Sequence, residues 1–486
     1  MARRLIVRAL VPTLLATSLA ACATNPVTGK RELSLMSEAQ EVQTGRQLDA
    51  EVRREMGVYG DAELQRYVND LGQRLARTSQ RPNLPWHFAV VDQPAVNAFA
   101  LPGGYIYITR GILPYLDNEA ELAGVLGHEI GHVTARHSAA AYSKATSAGV
   151  GLALLGIFVP STRPLQGLAE TALGVLFLKH GRDDELQADR LGAEYTAKAG
   201  WDPAGVAGML TTLARIDEAT GSRKGVPNWL STHPAPADRV QQVQTSVEQA
   251  RAAAGGRTLE RDEAGFLTRI DGIVYGDSPE QGVVRGSRFM HGDLRFALQF
   301  PEGWEIQNAP SQVSAKAAGE DVYMVLQLVQ QPRGTIQDTA VGGMQSAGFR
   351  HLEGNRRQIN GLQAYVGTYQ GSAQGVGNVI VRAAHIEHER NVYLFAGMAP
   401  QNLFNRVDNA ITRSLGSFEP LSREEAARIR PNRVDVYTVR SGDTWQSIAN
   451  RASEGNVKAA TLAIMNHYPV SEQPRPGDRI KIVVAG

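Results

Sequence analysis

Residues 126–138 read LGHEIGHVTARHS, and His128, Glu129 and His132 within them stand at the spacing H-E-x-x-H. No other run constrains the fold as much, because this one carries chemistry only as a helix. Residues four apart lie on one helical face, so both imidazoles reach a single ion, and Glu129 stands about 100° round, beside the open position. The chemistry needs that spacing. Two neutral imidazoles fix zinc, the ion lowers the pKa of a water towards ~7, and the glutamate takes the water's proton and passes it to a leaving amine. With 11 histidines in 486 residues, chance matches to the pattern number on the order of 0.01. The flanks ELAGVL and VTARHS keep the segment helical, so a helix over about 118–139 is predicted.

A tetrahedral site needs a third protein ligand. A histidine six residues after the second one would supply it, but that position is Ser138. His137 is one residue off and points away from the His128/His132 face, so it reads as a supporting residue. A later helix offers carboxylates: in HGRDDELQADRLGAEY, residues 180–195, Glu185 and Asp189 are four apart on one face. Glu185 can bind zinc directly, and Asp189 can accept a hydrogen bond from the far nitrogen of a ligand imidazole and fix its tautomer. Alone, this face reads equally well as a solvated acidic surface. With H-E-x-x-H upstream, the metal reading is preferred.

The chain is long enough for two or three domains, and a net charge of +1 gives no reason to expect nucleic acid as a partner. Its start is read as a targeting segment: Arg3, Arg4 and Arg8 precede an apolar run too short to span a bilayer, which ends in LAAC at Cys22, the only cysteine. The stretch resembles bacterial lipoprotein signals, in which the cysteine becomes the lipid-bearing N-terminus. That resemblance implies lipidation at Cys22, a periplasmic chain and, with Ala23 rather than aspartate following, the outer membrane.

Pattern and composition divide the rest. Residues 1–21 are read as signal peptide, 22–36 as a lipidated tether and 37–250 as the domain that carries the metal site. Residues 251–261 are a linker, 262–420 an α+β domain of unknown role, 421–433 a second linker and 434–486 a small module. A helical pattern runs from Ser37 to about Thr78, a strand covers Trp86–Asp92, and NAFALPGGYIYITRG (97–111) is a hairpin turning at Pro-Gly-Gly. Residues 148–159 are strongly apolar but only a dozen long, and read as a buried or membrane-facing hairpin rather than a span. Further helices are expected over about 165–199 and 203–219. The fold class is α+β and multidomain.

Four segments in order, NPVTGKRELSLMSEAQE, NAFALPGGYIYITRGIL, LGHEIGHVTARHS and DDELQADRLGAEY, resemble the periplasmic BepA-like metalloproteases, relatives of HtpX, the mitochondrial Oma-type protease and the CAAX prenyl endopeptidase. The resemblance covers about residues 25–245. It implies a mainly helical gluzincin domain with a small sheet, one Zn2+ per chain on His128, His132 and Glu185, and Glu129 as base. It also implies unfolded or misassembled envelope proteins as substrates. STHPAPADRV (231–240) resembles the family's His-Pro segment. His233 then either stabilises the oxyanion of the tetrahedral intermediate or fills zinc's fourth position and keeps the enzyme latent, with Arg239 backing either role. The strand at Gly104, Tyr105, Ile106 and Tyr107 either pairs with an extended substrate backbone or is purely structural.

The C-terminal residues resemble a lysin motif (LysM) of βααβ form. Gly442-Asp443-Thr444 matches its first turn, Asn466 its middle helix end and Pro476-Gly477-Asp478 its last turn, while Trp445 stands where an aliphatic residue is usual. Peptidoglycan is the partner this implies for 434–486, against a structural or partner-binding role. The middle region resembles small PsbP-like α+β domains through LRFALQFPEGWEIQN. The sequence thus points to a zinc endopeptidase. An outer-membrane assembly chaperone with latent proteolysis and a peptidoglycan-binding protein are the rival readings.

Overall fold

The computed structural model describes residues 22–29, 31–33, 36–141, 180–220, 233, 237–278, 280–309, 311–373, 376–454 and 457–486. The signal segment, the apolar stretch 148–159 and the expected helical residues 165–179 lie outside the described residues. The chain forms two compact units, one holding most of the N-terminal half together with residues 434–483, the other built from residues 274–433.

The first unit opens with a ribbon of β1 (Cys22–Thr24) and β2 (Arg31–Leu33), with Cys22 opposite Leu33. Helices α1 (Glu38–Met56) and α2 (Ala62–Ala76) follow. The sequence suggested one helical run from Ser37 to about Thr78. The structure breaks it, because Gly57 turns the chain at φ 70 and Val58 bridges to Val91. Each half has its own start: Ser37 and Gln40 form a capping box, and Asp61 accepts from the amides of Glu63 and Leu64.

A three-stranded sheet follows, of β3 (His87–Val91), β4 (Ala98–Leu101) and β5 (Tyr105–Thr109). β5 lies in the middle, parallel to β3 and antiparallel to β4. After a short 3-10 turn comes α3 (Glu119–Thr134), the helix that bears H-E-x-x-H. Asn118 caps it, and Arg136 ends it in a left-handed conformation at φ 64. Next are α4 (Arg182–Ala199), α5 (Ala204–Thr220), α6 (Ala237–Ala253) and α7 (Glu263–Ile270).

α3 is buried all round, and glycines let its neighbours approach to backbone contact. A Cβ at Gly192 of α4 would lie 2.9 Å from the His128 amide nitrogen, and one at Gly205 of α5 only 2.1 Å from the Ala120 carbonyl oxygen. α4 and α5 therefore pack against α3 at a separation that any side chain at these positions would prevent.

The second unit is built on a seven-stranded antiparallel sheet. In chain order its strands are β6 (Glu305–Ala309), β7 (Gln312–Lys316), β8 (Tyr323–Leu328), β9 (Arg350–Ile359), β10 (Leu362–Ala373), β11 (Gly377–His388) and β12 (Asn391–Pro400), and in space they run β6-β7-β8-β12-β11-β10-β9. Alternation along the strands buries both faces: Leu326, Phe395 and Ala384 join Phe289, Phe296 and Ile411 on one side, and Val325, Leu394 and Ala383 join Met344 and Phe349 on the other. α8 (Ile336–Ser346) and α9 (Phe404–Leu415) supply Met344 and Ile411.

The C-terminal module consists of β13 (Asn432–Thr438), α10 (Trp445–Ala452), α11 (Ala459–Met465) and β14 (Arg479–Val484), with β13 beside β14. Residues 434–483 belong to the first unit. Among the described residues no helix is long and apolar enough to cross a membrane.

Candidate metal centre

The site is assembled by α3, α4 and the segment at His233. The one-turn spacing on α3 brings His128 Nε2 within 3.0 Å of His132 Nε2. α4 contributes Glu185, whose Oε1 is 3.4 Å from His132 Nε2 and whose Oε2 is 3.6 Å from His128 Nε2. His233 Nδ1 lies 3.0 Å from Glu185 Oε1 and 3.3 Å from His128 Nε2. One ligand atom from each of His128, His132, Glu185 and His233 lies within 4.8 Å of the other three, and all four side chains are buried.

The hydrogen bonds behind these residues fix which nitrogens carry protons. His128 Nδ1 is 2.9 Å from Asp189 Oδ1, and a carboxylate only accepts, so Nδ1 holds the hydrogen and Nε2 presents a lone pair. Asp189 is itself gripped by Arg239, whose Nε donates to Oδ2 at 2.6 Å and Nη2 to Oδ1 at 2.8 Å. His137 Nε2 donates to Gln187 Oε1 at 2.9 Å. That leaves His137 Nδ1 to accept, at 3.0 Å, from His132 Nδ1, so His132 Nε2 also presents a lone pair. The two imidazole lone pairs, 3.0 Å apart with no hydrogen between them, therefore face each other beside a carboxylate, an arrangement that a cation relieves. The donor set, nitrogen with one carboxylate, suits zinc.

The electrostatics agree. Burial alone would raise the Glu185 carboxyl, but His233 and His132 hold it well below the usual carboxylate range. Burial likewise opposes ionisation of Asp189, and Arg239 and His128 outweigh it. Burial and then His180 push His132 well below an ordinary imidazole, so it stays neutral, as a ligand must be. Burial lowers His233, but Glu185 and Glu129 more than offset this and raise it. Glu129 is buried beside the set: its Oε1 has no hydrogen-bond partner among the described residues and lies 3.6 Å from His233 Nε2. Arg239 reaches both carboxylates of α4, with Nη1 2.8 Å from Glu185 Oε2.

The structure thus brings together His128, Glu129, His132, Glu185, Asp189, His233 and Arg239. It does not support the strand-pairing expectation for Gly104, Tyr105, Ile106 and Tyr107. β5 is hydrogen-bonded on both sides and these residues are buried, so no backbone edge remains there for a substrate. β4 is the outer strand on that side, and it lies against α3. Cys22 sits in the β1–β2 ribbon, well away in sequence from these elements.

Several residues of the site were not singled out from sequence. His180 lies 4.0 Å from His132, ring centre to ring centre, with the rings tilted, and burial holds it down to about 3; its place in HGRDD reads as a helix break. Asn25 donates from Nδ2 to the Ala135 carbonyl oxygen at 3.1 Å, and Arg81 donates from Nη1 to that of Val133 at 3.0 Å. Both bond carbonyls at the end of α3. Arg81 and Arg136 meet on the buried carboxylate of Glu41. The only signal for this clamp was the NPVTGKRELSLMSEAQE segment itself.

Residues 62–247 match the model of Peptidase family M48, and residues 437–483 that of the LysM domain. The beta-barrel assembly-enhancing protease of Escherichia coli K12 is 32% identical over 237 residues, 47% of this chain and 48% of that protein. The mitochondrial metalloendopeptidase OMA1 of Schizosaccharomyces pombe is 32% identical over 205 residues, 40% of this chain and 58% of that protein. The chain thus spans about half the length of the curated relatives it matches. The solution structure of cyanobacterial PsbP from Synechocystis sp. PCC 6803 aligns with 30% of this chain and 98% of that chain, at 14% identity and a TM-score of 0.23.

Proposed function

From a chain that carries a Peptidase family M48 domain and, behind it, a LysM domain, we propose a zinc-dependent endopeptidase of the bacterial periplasm, anchored by lipid at Cys22. The observation that carries this reading is the convergence of His128, His132, Glu185 and His233 beside a buried Glu129 whose Oε1 has no hydrogen-bond partner among the described residues. His128, His132 and Glu185 would hold zinc, which would supply Lewis acidity for activating water and polarising a scissile carbonyl. Glu129 takes the proton of the attacking water on its free oxygen and returns it to the nitrogen of the departing amine. Asp189 and His137 keep both imidazoles oriented with their lone pairs inward. Arg239 balances Asp189 and Glu185, so that two buried carboxylates stand side by side without repelling each other.

His233 belongs to the candidate ligand set itself, which favours the latent reading: at rest it would help hold the metal, and a substrate would have to displace it. Unfolded or misassembled envelope proteins are the proposed substrates, in keeping with the printed name of the E. coli relative. Anchoring in the outer membrane follows from the lipoprotein-like start, and the LysM domain brings peptidoglycan as a candidate partner.

The test uses the mature chain with Cys22 replaced. Cleavage of casein is compared with that of Glu129→Gln after matching zinc content. The variant is expected to lose on the order of 10²–10⁴-fold of the rate. Equal cleavage by both proteins would remove Glu129 as base and end the mechanism drawn from it. Cleavage by neither, with zinc bound in both, moves the chaperone reading ahead, unless His233→Ala then cleaves.

A further inference from the structure

The C-terminal module is bonded to the start of the metal helix. Lys481 of β14 is only 1% exposed. Its Nζ donates to the Leu116 carbonyl oxygen at 2.6 Å and to Asp117 Oδ1 at 2.5 Å. His467, just past α11, adds a second point of contact. Its Nδ1 lies 3.2 Å from Asp117 Oδ2, and its Nε2 lies 2.7 Å from Thr212 Oγ1, 3.2 Å from the Tyr115 carbonyl oxygen and 3.5 Å from Glu121 Oε2. Arg215 of α5 donates from Nη1 to the His467 carbonyl oxygen at 2.8 Å. The two contact points are tied to each other, since Asn466 pairs with the backbone of Lys481 in both directions, at 2.8 and 2.7 Å.

A lysine ammonium is almost never buried unless paired, because desolvation is so costly. Lys481 on a module that swung freely would keep its charge in water. Here it is desolvated against two acceptors of the first unit, which marks a built contact. What it meets matters for the site. Asp117 precedes the cap of α3 by one residue, and Glu121 sits in its first turn, buried, with Oε2 accepting from the Asp117 amide at 2.8 Å. Two acids thus crowd the helix start. Glu121 has no room to withdraw, since a Cβ on Gly208 would stand 2.7 Å from its Oε1. The ammonium and imidazole of the module reach into this corner, which Arg261 also shares.

We propose that residues 434–483 brace the metal helix: Lys481 and His467 are positioning residues that hold Asp117 and Glu121, and through them fix the end of α3 from which His128, Glu129 and His132 are measured. This rests on reading α3 as the metal helix. The helix is rigid and packed on every side, so displacing its first turn shifts residues only two turns further on.

The test uses the full mature chain with Lys481→Met, Lys481→Arg and His467→Asn. The last keeps a residue that tolerates the left-handed backbone at position 467, where φ is 61. Amide exchange over residues 117–125 is read with and without zinc, along with the rate at which zinc passes to a chelating dye. Lys481→Met and His467→Asn are expected to exchange roughly tenfold faster over 117–125 and to release zinc roughly tenfold faster, at the lower end for residues that orient ligands indirectly. Exchange over 445–452 in the module should be unchanged, and Lys481→Arg should restore most of both effects. If Lys481→Met also loosens 445–452, His467→Asn decides. Unchanged exchange over 117–125 in His467→Asn, or in a Lys481→Met chain whose module stays protected, overturns the brace. Exchange in the zinc-free chain needs no cleavage, so a chain that fails to digest casein, alone and as His233→Ala, ends the peptidase reading and leaves this test standing.

Discussion

At the scale of single residues, the site depends on groups whose protonation is set by their neighbours. Asp189 is the clearest case: it accepts from His128 Nδ1 while Arg239 holds it ionised. An amide in its place can turn an N–H towards Nδ1 and force the imidazole into the wrong tautomer. Asp189→Asn should therefore weaken zinc roughly 10–100-fold, as read by competition with a chelator of known affinity. Unchanged affinity would mean that the tautomer is fixed elsewhere. Glu121 gives a prediction of different kind. Burial, then Asp117, raises its carboxyl from 4.5 to about 8, so the folded protein holds a proton there that the unfolded chain has lost. Its contribution to stability is complete below pH 4.5 and declines as pH rises towards about 8. Glu121→Gln should remove that decline, flattening the dependence of the unfolding midpoint on pH between 5 and 8 by an amount of up to a few kcal/mol. A slope equal to that of the parent chain would place the proton on another group. Lys481, His467 and Arg261 share this corner, so the comparison is made at constant salt.

At the scale of elements, the site depends on α3 and α4 held at backbone contact. Gly192 is the critical position, because a methyl group there would stand 2.9 Å from the His128 amide nitrogen. Gly192→Ala must push α4 away from α3, and Glu185 and Asp189 move with it. A loss of about 1–3 kcal/mol is expected from overpacking, together with weaker zinc binding; both are read from thermal unfolding with and without the metal. If stability falls while zinc affinity holds, the two helices are not what sets the ligand geometry. Much of this level was legible in the sequence. A period of four placed His128 and His132 together on one helix face, and the same period placed Glu185 and Asp189 on another. What a period cannot give is the partner of an element. It marked the YIYIT strand as β but could not show that β3 and β4 take both its edges, so the substrate-pairing expectation fails on topology. It also could not show that Asn25 and Arg81 close the end of α3, since those bonds span 110 and 52 residues. Such long-range polar pairs leave no local pattern in composition or spacing.

At the scale of the molecule, the two units have separate cores, and the candidate metal set lies wholly in the first. The second unit buries its own aromatic cluster around Phe289, Phe296 and Phe395 and contributes none of the four candidate ligands. The C-terminal module belongs to the first unit, although some 160 residues of the second separate them in sequence. That return of the chain was not legible, because linker composition marks where domains change and carries no information about which ones meet. Metal removal tests the division. A ligand that binds only the folded form stabilises by RT ln(1 + [L]/Kd), about 4 kcal/mol at a thousandfold excess over its dissociation constant. For a unit of this size that is a midpoint shift on the order of 10 °C. Calorimetry of the mature chain should therefore show two transitions, of which a chelator lowers only one. The transition that moves should carry the unfolding of residues 445–452 with it, as read by exchange during the melt, while residues 379–398 of the central sheet stay with the other. If the module instead melts with the sheet, the metal-bearing unit does not include the C-terminal residues, and the brace loses its physical basis.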